Sequence, residues 1–336
     1  MRQIDRVRTG LGLLFIFVLM AAVCSAPSRA WCAAASLWVA DEGNNRVVEV
    51  IPKQLKHSGT PFLIFDNSAS ISTPGGVCFD AAKNLWVTGF NDAVLEFTPA
   101  QLNALPTTSN PVPVTTIISM HFSETVGCTF DSQGNLWVID AGAKGVHEVS
   151  KAQLAAGTGT IVPAISVTAT TALDFPNFAT WDKGGNLWIT SEDNSRIAEF
   201  SVSQLSSSGD KAPAVLLSDN GSGSLDEPGQ PAFDGKGNLW VPNYTNSTVV
   251  MFQKSDLGVS GSPNPKVTLH SASGSLDGPW GLTFQGKGPL WVSNYSSGTV
   301  AKFLPSQIKK NGSPVPKVVL QSVQSNGYQI VFGPVF

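Results

Sequence analysis

Oxygen-bearing side chains recur in this chain at one spacing. Three residues past a repeated tryptophan stand Asp41, Gly89, Asp140, Ser191, Asn243 and Asn294, and one residue further stand Glu42, Phe90, Ala141, Glu192, Tyr244 and Tyr295. A second set, Asp174, Asp226 and Asp277, lies two residues before Pro176, Pro228 and Pro279. Glu227 falls within it, and Asn177, Gly229 and Trp280 follow the prolines directly. Carboxylate and amide oxygens are what a hard divalent cation takes as ligands, so calcium or another divalent cation is the one cofactor these residues suggest. Asp and Asn also cap turns by accepting from backbone N–H groups. Capping is the first reading for Asp174, Asp226 and Asp277, while both readings stand for Asp41, Asp140, Asn243 and Asn294.

Other chemistry is thinly represented. The four histidines, His57, His121, His147 and His270, share no register and no metal-binding spacing, and they read as satisfied surface or loop residues. No G-x-S-x-G nucleophile elbow, phosphate loop or nucleotide fingerprint is present.

The elements that position these residues come from a repeat. "NLWV", "GNLWV" and close variants place Trp38, Trp86, Trp137, Trp188, Trp240 and Trp291 at spacings of 48, 51, 51, 52 and 51. Seven residues before the last five stand Phe79, Phe130, Trp181, Phe233 and Phe284. Asp/Gly/Asn turns such as "DSQGN" join an aromatic-ended strand to the tryptophan strand, since Gly or Asn there takes positive φ. A third strand like "RIAEF" follows, then one helical turn such as "TPAQL". A fourth run carries Pro111, Pro113, Pro213, Pro265 and Pro316, which as non-donors belong on an outer edge.

A four-stranded unit of about 50 residues cannot bury both faces alone, and stacking copies around an axis solves this. The first copy lacks its inner strand, and "GYQIVFGPVF" at the C-terminus supplies it. The expectation is an all-β, six-bladed β-propeller with four antiparallel strands per blade, closed by the C-terminal strand completing the N-terminal blade. Blade 1 is 36–67 plus 327–336, and blades 2 to 6 are 73–119, 124–170, 175–219, 227–271 and 278–322. The repeated tryptophans are read as packing between blades.

Composition fits this. The chain has 336 residues, 42% hydrophobic and 13% charged, with net charge −3 and no basic block, which excludes a nucleic-acid partner. Arg2, Arg6 and Arg8 precede an apolar run from Leu11 to Val23, and small residues follow. Residues 1–30 therefore read as a secretory signal peptide, cleaved near 30 or 35, and a secreted or periplasmic location is expected. No stretch is long enough for a membrane span. Cys78 and Cys128 read as small buried apolar residues, since the cysteines form no disulfide framework. A monomer is expected.

The aromatic before the turn, the D-x-x-G-N-L-W-V phrase and third strands such as "NNRVVEV" resemble the NHL-repeat family and its six-bladed relatives, from Ser36 to Phe336. Those relatives include gluconolactonase-type lactonases, streptogramin lyases, amidating lyases and many secreted binding proteins, so the resemblance fixes fold and leaves function open. It implies a site at the channel mouth. The lactonases hold a metal there with a Glu, two Asn and an Asp. "FPNFATWD" makes Asn177 match one Asn, whereas Gly229 stands where the next blade should offer Asp. The main expectation is a non-catalytic recognition module for a protein, peptide or glycan. The alternative is a divalent-metal-dependent lactonase-like hydrolase or lyase at the same place. Under either, ligand contacts are expected among Asp41, Asp140, Asn177, Glu192, Glu227, Asn243, Tyr244, Trp280, Asn294 and Tyr295. Trp280 itself reads as either a ligand contact or a core plug.

Overall fold

The structure, a computed structural model, describes residues 35–60, 71–103, 111–321, 323 and 327–333. The 1–30 leader lies outside them. Six antiparallel sheets follow one another around an axis. Blade 4 shows the plan, running outward as Pro176–Trp181, Leu187–Ser191, Arg196–Phe200 and Val215–Ser218. In blade 1 the C-terminal strand Gly327–Gly333 is innermost. It pairs with Ser36–Asp41, setting Leu37 opposite Phe332 and Trp38 opposite Val331. The ring therefore closes as the sequence predicts.

Packing follows strand alternation. Trp38 and Ala40 face blade 2, while Leu37 and Val39 face blade 6. The core is accordingly divided into six wedges, one per blade interface. Each repeated tryptophan meets the inner-strand aromatic of the next blade nearly edge-on. Trp38 sits 5.4 Å from Phe79, Trp137 is 5.9 Å from Trp181, and Trp291 of blade 6 is 6.1 Å from Phe332 of blade 1.

The rest of the repeated phrase is hydrogen bonding. One oxygen of the turn carboxylate accepts from both the Asn side chain and the Trp indole. For Asp131 these are Asn135 at 2.9 Å and Trp137 at 3.0 Å, and Asp80, Asp182 and Asp234 do the same. The turn needs a left-handed residue, which is Gly134, Gly185 or Gly237 but Lys83 in blade 2. Blade 6 has Gln285 and Pro289 at the Asp and Asn positions, and its Trp291 indole N–H is buried without a partner.

Two expectations need correction. The prolines do not lie in the outer strands. Pro213, Pro265 and Pro316 precede the strands that start at Val215, Val267 and Val318. The outer edge is instead clasped by the next blade. Parallel pairing sets Gly159 beside Ile117 and Gly209 beside Val167, and single parallel bridges set Gly261 beside Leu217, Gly312 beside Leu269 and Gly59 beside Leu320. The residue before each glycine accepts an outer-strand N–H, as Ser208 does from Ser166 at 3.0 Å. These contacts satisfy donors an open edge would expose. The second correction concerns Cys78 and Cys128, which are buried but disulfide-bonded, with Cα atoms 6.0 Å apart, joining the inner strands of blades 2 and 3.

Candidate functional site

The inner strands and the loops between second and third strands reach one face of the ring. A left-handed residue, Thr73, Glu124, Phe175, Glu227 or Gly278, opens the inner strand of blades 2 to 6. Its carbonyl accepts the N–H of the residue four past the tryptophan, for example Tyr244 on Glu227 at 3.1 Å and Tyr295 on Gly278 at 2.8 Å. This bond fixes Phe90, Ala141, Glu192, Tyr244 and Tyr295 around the axis.

The residues three past the tryptophan do something else. Asp41, Asp140, Asn243 and Asn294 are fully buried and strap loops to their own blade. Asp41 accepts from Arg46 at 2.7 Å, and Asp140 accepts from the backbones of Ser123 and Ala143 at 2.8 Å. Asn243 accepts from Asp226 N–H at 3.2 Å, and Asn294 from Asp277 N–H at 3.1 Å. The second strand stands one spacing, about 4.8 Å, outside the inner one. None of the four is among the residues lining the cup at the channel mouth.

At the mouth lies a seventh hydrophobic cluster, the one that belongs to no blade interface. Val126, Ala141, Phe178 and Trp280 are its buried members, with Phe90, Phe175, Tyr244, Tyr295 and Tyr328 packed against them. Glu192, Tyr244, Trp280, Tyr295 and Tyr328 line a cup of about 150 Å3. Four rings form a closed circuit. Tyr244 to Trp280 is 5.4 Å, Trp280 to Tyr328 6.0 Å, Tyr328 to Tyr295 5.8 Å and Tyr295 to Tyr244 5.6 Å, with interplanar angles of 81°, 87°, 78° and 86°. Trp280 is both plug and wall, 4% exposed and lining the cup. At the same inner-strand position blade 5 has Gly229, where a Cβ would lie 2.2 Å from the Trp280 carbonyl oxygen.

The channel below is filled. Phe178 packs under Trp280 and Tyr328 at 6.1 and 6.3 Å. Gln230 of blade 5 donates to Ile330 O at 2.9 Å and accepts from Ile330 N–H at 2.9 Å. Gln329 of blade 1 accepts from Val77 N–H at 3.0 Å and donates to Cys128 O at 3.1 Å. Gln230 also accepts from Leu282 N–H of blade 6 at 3.3 Å, so the two glutamines cross-brace inner strands from five blades.

Glu192 is the charged group of the cup. Burial, then Asp193, pushes its carboxyl up to about 7, against a hydrogen bond from Asn177, with Glu227 adding to the rise. Asn177 is fully buried. It donates to Glu192 at 3.3 Å and to the Pro228 carbonyl at 3.4 Å, and it accepts from the Thr190 hydroxyl at 2.7 Å. It therefore positions Glu192 from behind. Burial, then Glu42, raises the phenols of Tyr295 and Tyr328 above the ordinary range, and Glu192 acts on both in the same sense. Burial, then Asp140, raises Glu124. The Trp280 indole N–H is buried without a hydrogen-bond partner.

Among the described residues no three His, Cys, Asp or Glu side chains converge on one point. Nor does a histidine serve the cup. His147, expected at the surface or in a loop, is 3% exposed on the strand Gly145–Val149, between the Ser166 hydroxyl at 2.8 Å and Asp140 at 3.4 Å. A groove of about 560 Å3 lies on the opposite face between blades 3 and 4, lined by the Asp131 and Asp182 turns, Trp181 and Lys183. It is larger and carries more charge, with Glu148 beside these, but it has two aromatic side chains, Trp137 and Trp181, against the four of the cup.

No family model matches this chain, and no curated protein matches it. Solved structures do. A protein of unknown function from Bacteroides caccae aligns with TM-score 0.61 and 12% identity over 90% of this chain and 100% of that one. A streptogramin B lyase aligns with TM-score 0.49 and 14% identity over 86% and 76%, and virginiamycin B lyase from Staphylococcus aureus with TM-score 0.47 and 16% identity over 69% and 67%. At these identities the similarity is one of fold: this chain is a six-bladed β-propeller.

Proposed function

We propose that this propeller is an exported, non-catalytic recognition module that takes its ligand in the aromatic cup at the channel mouth. The observation that carries this is the cup itself, four rings and one perturbed carboxylate gathered from blades 1, 4, 5 and 6 over a floor closed by Phe178, Gln230 and Gln329. A rigid apolar recess with few polar groups is the common form of a binding site. Export is supported by the basic-then-apolar leader and by the Cys78–Cys128 bond, a link that persists in oxidising compartments.

Peptide and glycan arrays probed with the wild type and with Tyr295→Ala test this. The reading requires a bound class whose signal falls at least about tenfold in the variant while the melting temperature holds. Binding that ignores the substitution places the site elsewhere. Turnover of a lactone panel by the wild type, lost in Glu192→Gln, would favour the hydrolase alternative instead.

A further inference from the structure

Resting on the cup as the binding site, we infer that its ligand carries a small organic cation, an alkylated or quaternary ammonium head seated in the cup lined by Tyr244, Trp280, Tyr295 and Tyr328 with Glu192 as counter-charge. The four rings form a circuit of nearly perpendicular neighbours in which Trp280 and Tyr295 also meet at 6.3 Å, so a head group rests in the cup they line and not between them. Aromatic faces carry negative charge density and hold cations best where water is excluded. The volume of about 150 Å3 suits one compact head group, well below the several hundred Å3 typical of drug-sized ligands.

Charge points the same way. Glu42, Glu124, Asp193 and Glu227 all act electrostatically on cup residues in the sense of negative potential. No lysine or arginine lines the cup, and the nearby Lys144 and Arg46 are paired with Asp174 and Asp41. An anionic ligand would be repelled. The polar groups of the cup are the Glu192 carboxylate and the hydroxyls of Tyr244, Tyr295 and Tyr328, so negative charge, and not a scarcity of hydrogen-bonding groups, is what favours a cation over a neutral sugar. Because Glu192 titrates near neutrality, a cation should bind its ionised form, and affinity should rise as pH rises through about 7.

Calorimetry on the mature propeller tests this with choline chloride, tetramethylammonium chloride and the uncharged isostere in which a tert-butyl group replaces trimethylammonium. Choline should bind about tenfold or more tightly than the isostere, the scale of desolvated cation–π contacts. Glu192→Gln should weaken choline by about tenfold, abolish the pH dependence and leave the isostere unchanged. Tyr295→Leu serves as the second variant if Glu192→Gln does not fold. Equal binding of choline and isostere overturns the cation while keeping the cup as the site. So does failure of both ammonium ions beside an array ligand that Tyr295→Ala abolishes. An array ligand indifferent to that substitution overturns both readings.

Discussion

Replacing Glu192 by Gln should make the protein more stable at alkaline pH. The carboxyl titrates at about 7 in the fold against 4.5 in a free chain, so between those values the folded state holds a proton the unfolded state has lost. Stability contributed by this group is greatest below the unfolded value and falls as pH rises toward the folded one. At 1.36 kcal/mol per unit the full shift is worth about 3 kcal/mol, and solvent screening of the exposed part brings it nearer 2 kcal/mol. Gln keeps an oxygen to accept from Asn177, so that hydrogen bond survives. Urea unfolding of both proteins near pH 4.5 and near pH 8 measures the effect as a difference of differences. Other burial-raised carboxylates such as Glu49, Glu96, Glu148 and Glu199 cancel. The variant should match the wild type in acid and gain about 2–3 kcal/mol at the higher pH. Parallel pH profiles, or a variant less stable at the higher pH, would refute the reasoning.

Other perturbations have equally definite outcomes. Trp137→Ala, which opens a cavity in a wedge and removes one of the donors to Asp131, should cost about 3–5 kcal/mol in chemical unfolding, and a loss under about 1 kcal/mol would contradict inter-blade packing. Truncation after residue 326 should give aggregated or unfolded protein by size-exclusion chromatography, because it bares the edge of Ser36–Asp41 and removes Gln329 and Tyr328. Reducing the Cys78–Cys128 bond, which closes a separation of 50 residues, should lower stability by up to about 4 kcal/mol on chain entropy alone. Unchanged unfolding after verified reduction would show that the blades hold the two strands without it.

Ring architecture was legible because one physical problem is solved six times. Leu, Trp and Val alternate across each second strand, and the displaced sixth copy of the inner strand can only close the circle. The cup was legible in part. Glu192, Tyr244 and Tyr295 share a register and Trp280 follows a proline, so four of its five lining residues stood among the candidates. Tyr328 was missed although the signal existed, since it precedes Phe332 by the same four residues that separate Trp280 from Phe284. Asp41, Asp140, Asn243 and Asn294 share an end-of-strand register, which tells position along the blade and not distance from the axis, and they stand outside the lining of the cup. Cys78 and Cys128 differ by one position in the repeat, which turns them toward each other across neighbouring blades. That argument needs the blades assembled first. Gln230 and Gln329 could not have been found, because their partners across the axis lie 100 to 252 residues away.

The central claim is that ligand recognition occurs in the cup. Its most direct measurement is the Trp280 indole N–H in a nitrogen–proton correlation spectrum, assigned by its loss in Trp280→Phe. Trp280 lines the cup and its N–H has no hydrogen-bond partner to hold its shift, so filling the cup should change the environment of this indole. Titration with choline chloride, or with a ligand from the arrays, should move this cross-peak saturably while that of Trp181 on the opposite groove stays fixed. A moving Trp181 signal beside an unmoved Trp280 would contradict the account.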